Sequence, residues 1–461
     1  MIEDKNVLAD ISSSFSGRFG ISKCVITPPL GIYSRNWGAA KLDQAIGIHQ
    51  HLFVHCLIME SYLNEIAILV TADLGWWKNA QDARDLRNAV LKHFQLSESD
   101  LIIALSHTHA GPSICSSDRD LPGGNKIAPY LEFLKQSIIA AIQEAKDNLF
   151  RGTISWGYGV SDLACNRDQK MGEEYLIGFN PLEPADQTLL VGQLFNEDDN
   201  LQAILCNYAC HPTTFAHEND LISPDYVGEL RNTVEQKLAV PCIFLQGASG
   251  DLAPKKQYVR DPAIVEANGR ALGYAVLATR ELLPKANRNW VFEQAVVSGA
   301  PLGCWTSQDT PSNRNLCKTI ARVSVPYKQL ESAEDIKLAY ETCEDRVLKD
   351  RLWRKYNTRI AIGNNKTAEI AVWLWKFGNV ILVAQANEAY SIYQKQVRAS
   401  FPNHCIVFIN IANGYVGYLA PKELYNKDIY AVWQSPYAAG SLEQLIEESI
   451  SGIAKLLQHE A

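Results

Sequence analysis

Short apolar runs alternate along this chain with longer stretches of helical periodicity, and that alternation limits its fold more than any other feature. "HLFVHCLIM", "EIAILVTADLGWW" and "DLIIALS" read as strands, while "NAQDARDLRNAVLKHFQ" and "PYLEFLKQSIIAAIQEAKDNL" carry apolar residues at helical spacing. The pattern repeats in "LQAILCNYAC" (strand), "DYVGELRNTVEQKLA" (helix), "PCIFLQ" (strand) and a helix over 262–283. It resumes with "AEDIKLAYETCEDRVLKDRLWRKYN" as one helix, "EIAVWLWKFGNVILVAQANE" as two strands around a turn at Gly378-Asn379, and a last helix over 441–458. An α/β fold follows, with β-sheets layered against flanking helices.

At 461 residues, 47% of them hydrophobic, the chain can build one large core. The one loop-rich stretch, 286–318, marks two lobes at most. Residues 21–461 are therefore read as a single domain behind a polar N-terminal segment, 1–20. That segment lacks the apolar stretch of a signal peptide, and no run approaches the length of a membrane span. The formal net charge of −8, without a block of like charges, argues against a nucleic-acid partner. Eleven cysteines without a repeated spacing predict free thiols and a cytoplasmic location.

Several strands end on residues that can do chemistry. In "LSHTHAGPS", His107 and His109 are two apart, so in an extended segment both imidazoles face one spot. His49, His51 and His55 offer a rival set, but inside a strand, where packing is the simpler reading. His211 ends another apolar strand and is followed by Pro212. Cys206 and Cys210 nearby have no second cysteine pair to complete a thiolate metal site. "FLQGASGDLAP" runs into a tight turn that nearly matches a nucleophile elbow around Ser249, but Asp251 stands where the last glycine belongs. Glu388 ends a further apolar strand, a costly place for a carboxylate unless it is paired or bound to metal. Tyr415, Tyr418, Tyr425 and Tyr430 follow it in sequence.

Taken in order, His107-Thr108-His109-Ala110-Gly111-Pro112, His211-Pro212, Gly250-Asp251-x-x-Pro254, Glu388 and Tyr415-x-x-Tyr418 resemble the motifs of the neutral (non-lysosomal) ceramidases. "VTADLGW" and "NRD" at 166–168 match as well. The resemblance implies a ceramidase-like catalytic domain of mixed β-sheets layered with flanking helices. It implies one zinc per chain, held by His107, His211, Glu388 and Tyr418. His109 would then sit beside the reacting water, Arg167 near the substrate carbonyl and Tyr430 close to the reacting group. Gly250, Asp251 and Ala253 would form the substrate turn. The ligand set also suits zinc by its chemistry.

Three departures shape the functional expectation. Ala253 replaces the serine of the family turn, so a mechanism with that serine as nucleophile is not available. Gln-Ala-Asn precedes Glu388 where the family has a Pro-Gly pair. The chain ends after its last helix, without the β-domain that follows in ceramidases. With a polar segment, 116–126, expected at the entrance, these features predict a zinc amidohydrolase acting through metal-activated water on the amide bond of a soluble metabolite or peptide-like substrate. The alternatives are ceramidase activity on N-acylsphingosine, favoured by an apolar groove beside the metal, an inactive metal-binding relative with a ligand- or partner-binding role, and a serine hydrolase using Ser249.

Overall fold

The structure, a computed structural model, describes residues 13–458. Two sheets lie at its centre. The larger has eight strands in the order Cys242–Gln246, Leu201–Tyr208, Thr188–Asn196, Phe150–Val160, Ser13–Val25, Phe53–Glu60, Ile66–Ala72 and Leu101–Leu105. Its inner pairs are antiparallel, and the outermost pair at each edge is parallel. The smaller sheet runs Leu316–Pro326, Thr367–Phe377, Val380–Gln385 and Cys405–Ile409, with only its last pair parallel.

Strand alternation explains why so many of these runs are apolar throughout. Along Phe53–Glu60, Val54, Cys56 and Ile58 pack under the helices Ala80–Phe94 and Ile127–Asp147, while Leu57 and Met59 face the other sheet. In the smaller sheet, Trp373, Trp375 and Phe377 meet that same inner core. Val372 and Leu374 point outward, toward the helices Ile392–Ser400 and Ser441–Gln458. The result is four layers, helix–sheet–sheet–helix, in which a strand has no solvated face to make polar. Two helix starts show how a side chain fixes the boundary locally. Asn79 accepts from Gln81 N, and Asp261 accepts from Ala263 N just before Pro262 at the first helical position.

Three boundaries differ from the sequence reading. Residues 13–20 do not belong to a separate segment: they begin a central strand, with Phe15 and Phe19 fully buried between the sheets. The 286–318 stretch is mostly a hairpin, Arg288–Ser298 with Ala300–Asp309, through which the chain passes to the smaller sheet. It does not separate two lobes, because one core joins both sheets. The predicted single helix over 333–357 is two, Ala333–Thr342 and Arg346–Ile362, broken where Asp345 caps the second. Among the described residues no helix is long and apolar enough to cross a membrane.

Candidate active site

The parallel edge strands of both sheets bring their carboxyl ends together. The segment 410–413 joins them: Asn410 N donates to Gln246 O (2.9 Å), Leu105 N to Ile411 O (3.1 Å) and Ala412 N to Gln385 O (3.0 Å). The turns that follow Leu105, Gln246 and Gln385 therefore meet in one place, the usual position of ligand sites in α/β sheets.

His107 leaves its strand with a left-handed backbone (φ 70°) rather than extending it, so a turn and not strand alternation sets the direction of its ring. His107 N donates to Leu74 O, and its Nδ1 lies 3.1 Å from Gly75 O. His211 Nδ1 lies 2.7 Å from Ser249 O and 3.1 Å from Leu252 O. Both rings thus carry their proton on Nδ1 and direct Nε2 inward. Glu388 Oε2 receives them: it is 2.8 Å from His211 Nε2 and 3.1 Å from His107 Nε2, the second approach lacking hydrogen-bond alignment. Burial, then the Arg167 charge, lowers the His211 imidazole to about 4, so protonation of that ring does not resolve the contact at neutral pH. Two bare lone pairs facing one carboxylate oxygen form an acceptor cluster that a divalent cation satisfies. The donor set therefore fits a metal.

His109 is the third imidazole. The ligating atoms of His107, His109 and His211 all lie within 4.8 Å of one another. Both ring nitrogens of His109 are buried without a partner, between Trp37 (5.1 Å) and Trp76 (4.8 Å). Burial, then the neighbouring imidazoles, keeps its basicity well below that of a free histidine.

Glu388 and Tyr418 sit opposite each other in a short parallel ladder. The Gln-Ala-Asn that precedes Glu388 builds its own turn. Gln385 Nε2 donates to Asn387 O (2.7 Å), Asn387 N donates to Gln385 Oε1 (2.6 Å), and Tyr437 Oη donates to Asn387 Oδ1 (2.9 Å). Arg167 reaches in from the next segment: Nη2 donates to Tyr418 Oη (3.0 Å) and Gly250 O (2.9 Å). Tyr430 stands edge-on to Tyr418 at 5.9 Å. The metal-site and catalytic residues of the sequence reading thus share one neighbourhood.

Gly250, Asp251 and Ala253 lie beneath it and line none of the cleft. Gly250 N donates to Ala389 O (2.9 Å), and both Asp251 oxygens are taken by Ser391 N and Oγ (2.6 and 2.7 Å). Ala253 is fully buried, paired with Cys165. Ser249 Oγ accepts from Gln246 Nε2 at 2.6 Å and meets no imidazole, which leaves a serine nucleophile without its base. His49 bonds Ser223 and His51 bonds Thr27, away from the cluster. Cys206 and Cys210 are buried in core packing.

A cleft opens onto the site. Its walls are Trp76, Trp77, Lys78 and Val416, with Arg354, Thr358 and Ala361 of the helix Arg346–Ile362. The 116–126 segment does not form the entrance. Its Asp118 is buried and accepts from Trp353 Nε1 (2.8 Å), propping that helix instead. Sequence reasoning assigned no role to Trp76 or Arg354. The "VTADLGW" stretch signalled the first, and nothing local signalled the second.

A comparison with protein families matches residues 19–255, just over half the chain, to the N-terminal part of the neutral/alkaline non-lysosomal ceramidases. This chain belongs to that family. The ceramidase relatives include the neutral ceramidase of Pseudomonas aeruginosa, 24% identical over 259 residues, which are 51% of this chain and 37% of that one. The neutral ceramidase of Drosophila melanogaster is 25% identical over 224 residues, 46% of this chain and 31% of that one. The matched region thus spans about a third of the length of these relatives. The ceramidase fold is shared through nearly the whole chain. A solved ceramidase complexed with C2 covers 96% of it, and 76% of its own length, at TM-score 0.66 and 16% identity. The crystal structure of the Pseudomonas aeruginosa neutral ceramidase aligns at 0.65 with 17% identity, covering 96% of this chain and 75% of that one.

Proposed function

We propose that this chain is a metal-dependent amidase that cleaves the N-acyl bond of a ceramide-class substrate. The observation that carries the reading is the meeting of His107, His211 and Glu388 at one point at the foot of an aromatic cleft. Zinc is the metal that suits two imidazoles and a carboxylate with Tyr418 as an adaptable fourth donor. When bound, such an ion polarises the scissile carbonyl and acidifies water.

The chain's own groups do the rest. Arg167, buried and without a salt bridge among the described residues, offers its guanidinium to the carbonyl oxygen as charge develops there, with Tyr430 as a second donor. His109, neutral and free at both nitrogens, carries a proton to the leaving nitrogen. Trp76, Trp77, Ala361 and Val416 give the cleft an apolar wall suited to an acyl chain, which favours a lipid over the soluble substrate expected from the sequence. A short or polar N-acyl substrate is the second reading, favoured by Lys78 and Arg354 on the same walls. The serine missing at Ala253 leaves the cleft unaltered, since that position is buried below it.

The test is hydrolysis of a fluorogenic short-chain ceramide by wild type and His211→Ala, with metal content measured in both. We expect about one zinc per chain, turnover abolished by chelator, and loss of both in the variant. A wild type that holds metal but cleaves neither ceramides nor soluble N-acyl amines is a binding protein, and the reading fails.

A further inference from the structure

The loop that follows Leu252–Pro254 carries an aromatic residue in a strained conformation. Tyr258 has φ 61°, a region that side chains with a Cβ enter at a cost. Its neighbours hold it there. Tyr258 N donates to Thr213 O (3.3 Å), Val259 N to Thr214 O (2.9 Å), and Thr213 Oγ1 to Gln257 Oε1 (2.9 Å). The loop is thereby clamped to the segment that follows His211. Strain that persists under such restraint clusters at functional sites.

The Tyr258 ring stands edge-on to Trp37 at 5.7 Å, and Trp37 in turn packs on His109. Its phenol also lies within electrostatic reach of Arg167 and Tyr430. Arg167 therefore faces Tyr418 and Tyr258, and Tyr430 stands beside these two, three phenols in one group. Two already accept a hydrogen bond from protein, Tyr418 from Arg167 Nη2 (3.0 Å) and Tyr430 from Gln434 Nε2 (2.9 Å). The Tyr258 hydroxyl has no such partner among the described residues. Burial pushes it up to about 12, against the opposing pull of Arg167, so it keeps its proton at neutral pH and can donate.

We propose that Tyr258 is a further catalytic residue, whose hydroxyl donates a hydrogen bond to the substrate oxygen that Arg167 attracts. This rests on the amidase reading. The oxygen is a carbonyl in the substrate, gains charge as the carbonyl is attacked, and becomes a carboxylate oxygen in the product acid. Tyr258 keeps its proton throughout, and no bond to it forms or breaks. A donor aimed at developing charge is worth most where water is excluded, and Trp37 and Trp76 exclude it on the His109 side.

The test is Tyr258→Phe, which preserves the ring, the Trp37 contact and the backbone strain. Two quantities are read: turnover of a short-chain ceramide by the metal-loaded protein, and calorimetric binding of hexanoate, a product-class carboxylate, to the metal-free full chain. We expect kcat to fall about 10²-fold and hexanoate to bind about tenfold more weakly, with Tm and metal content unchanged. Values within twofold of wild type in both assays overturn the proposal. If the wild type does not cleave ceramides, the amidase reading fails, and hexanoate still decides the role of Tyr258: a tenfold loss supports it, and equal binding removes it.

Discussion

Tyr415 Oη donates to Glu388 Oε1 at 2.8 Å, so the carboxylate is held at one oxygen while the other faces His107 and His211. Groups that orient a ligand from behind typically govern metal affinity by 10- to 100-fold. Tyr415→Phe is therefore expected to weaken zinc binding by about that factor with little change in Tm. Competition against a fluorescent chelator measures it, and unchanged affinity would mean that the packing around Glu388 suffices to hold it.

Gly250 is a point of close approach. A Cβ there would lie 2.8 Å from Glu388 O and 2.8 Å from Tyr390 Cδ1. Gly250→Ala must push the Glu388 turn away, at about 1–3 kcal/mol by the scale of overpacked sites. We expect a lower Tm together with reduced metal stoichiometry. A variant that loses stability but keeps full metal content would uncouple the turn from the site.

Asp251 makes stability depend on pH. Burial raises its carboxyl from the ordinary 3.8 to about 6, although Ser391 donates to both oxygens. A raised folded value means the native state binds the proton more tightly, so this contribution is present below about pH 4 and is lost as pH rises toward 6. The difference amounts to about 3 kcal/mol at 1.4 kcal/mol per unit. Asp251→Asn should flatten the stability–pH curve across that window by about one proton's worth of slope. Urea unfolding at pH 4.5 and 7.0 is the measurement, and parallel curves for wild type and variant would rule out the raised carboxyl.

Ser249→Ala removes a hydroxyl whose bond is to Gln246, not to a base. Turnover within a few-fold of wild type is expected, with a stability loss of about 1 kcal/mol. Abolished activity in a metal-replete variant would restore the serine to the mechanism.

The local content of the sequence reached far into the structure. The last helix occupies Ser441–Gln458 as its periodicity predicts, and the turn at Gly378-Asn379 divides two strands. The apolar strands running into His107, His211 and Glu388 were legible because a buried strand that ends on such a residue breaks its own pattern. The strands Phe150–Val160 and Thr188–Asn196 were missed. Their Gly157, Gly159 and Gly192 weaken the strand signal, and Trp156, Leu283 and Thr279 occupy the space a side chain would take. Residues 13–20 looked polar because serines and glycines alternate with Phe15 and Phe19, and only pairing with two neighbours makes the segment central.

What the sequence alone determined, then, was the alternation of layers and the identity of the residues that follow the buried strands. What only the tertiary structure decided was their meeting and their setting. His211 and Glu388 are 177 positions apart. Segment 410–413 joins the turns after Leu105, Gln246 and Gln385, and His211 N donates to Leu252 O in the turn after Gln246. One wall of the cleft comes from a helix with no functional signature of its own, Arg346–Ile362, held by Trp353 on Asp118. Periodicity is a property of neighbours along the chain, whereas a site is made of contacts whose closure the packed core alone enforces.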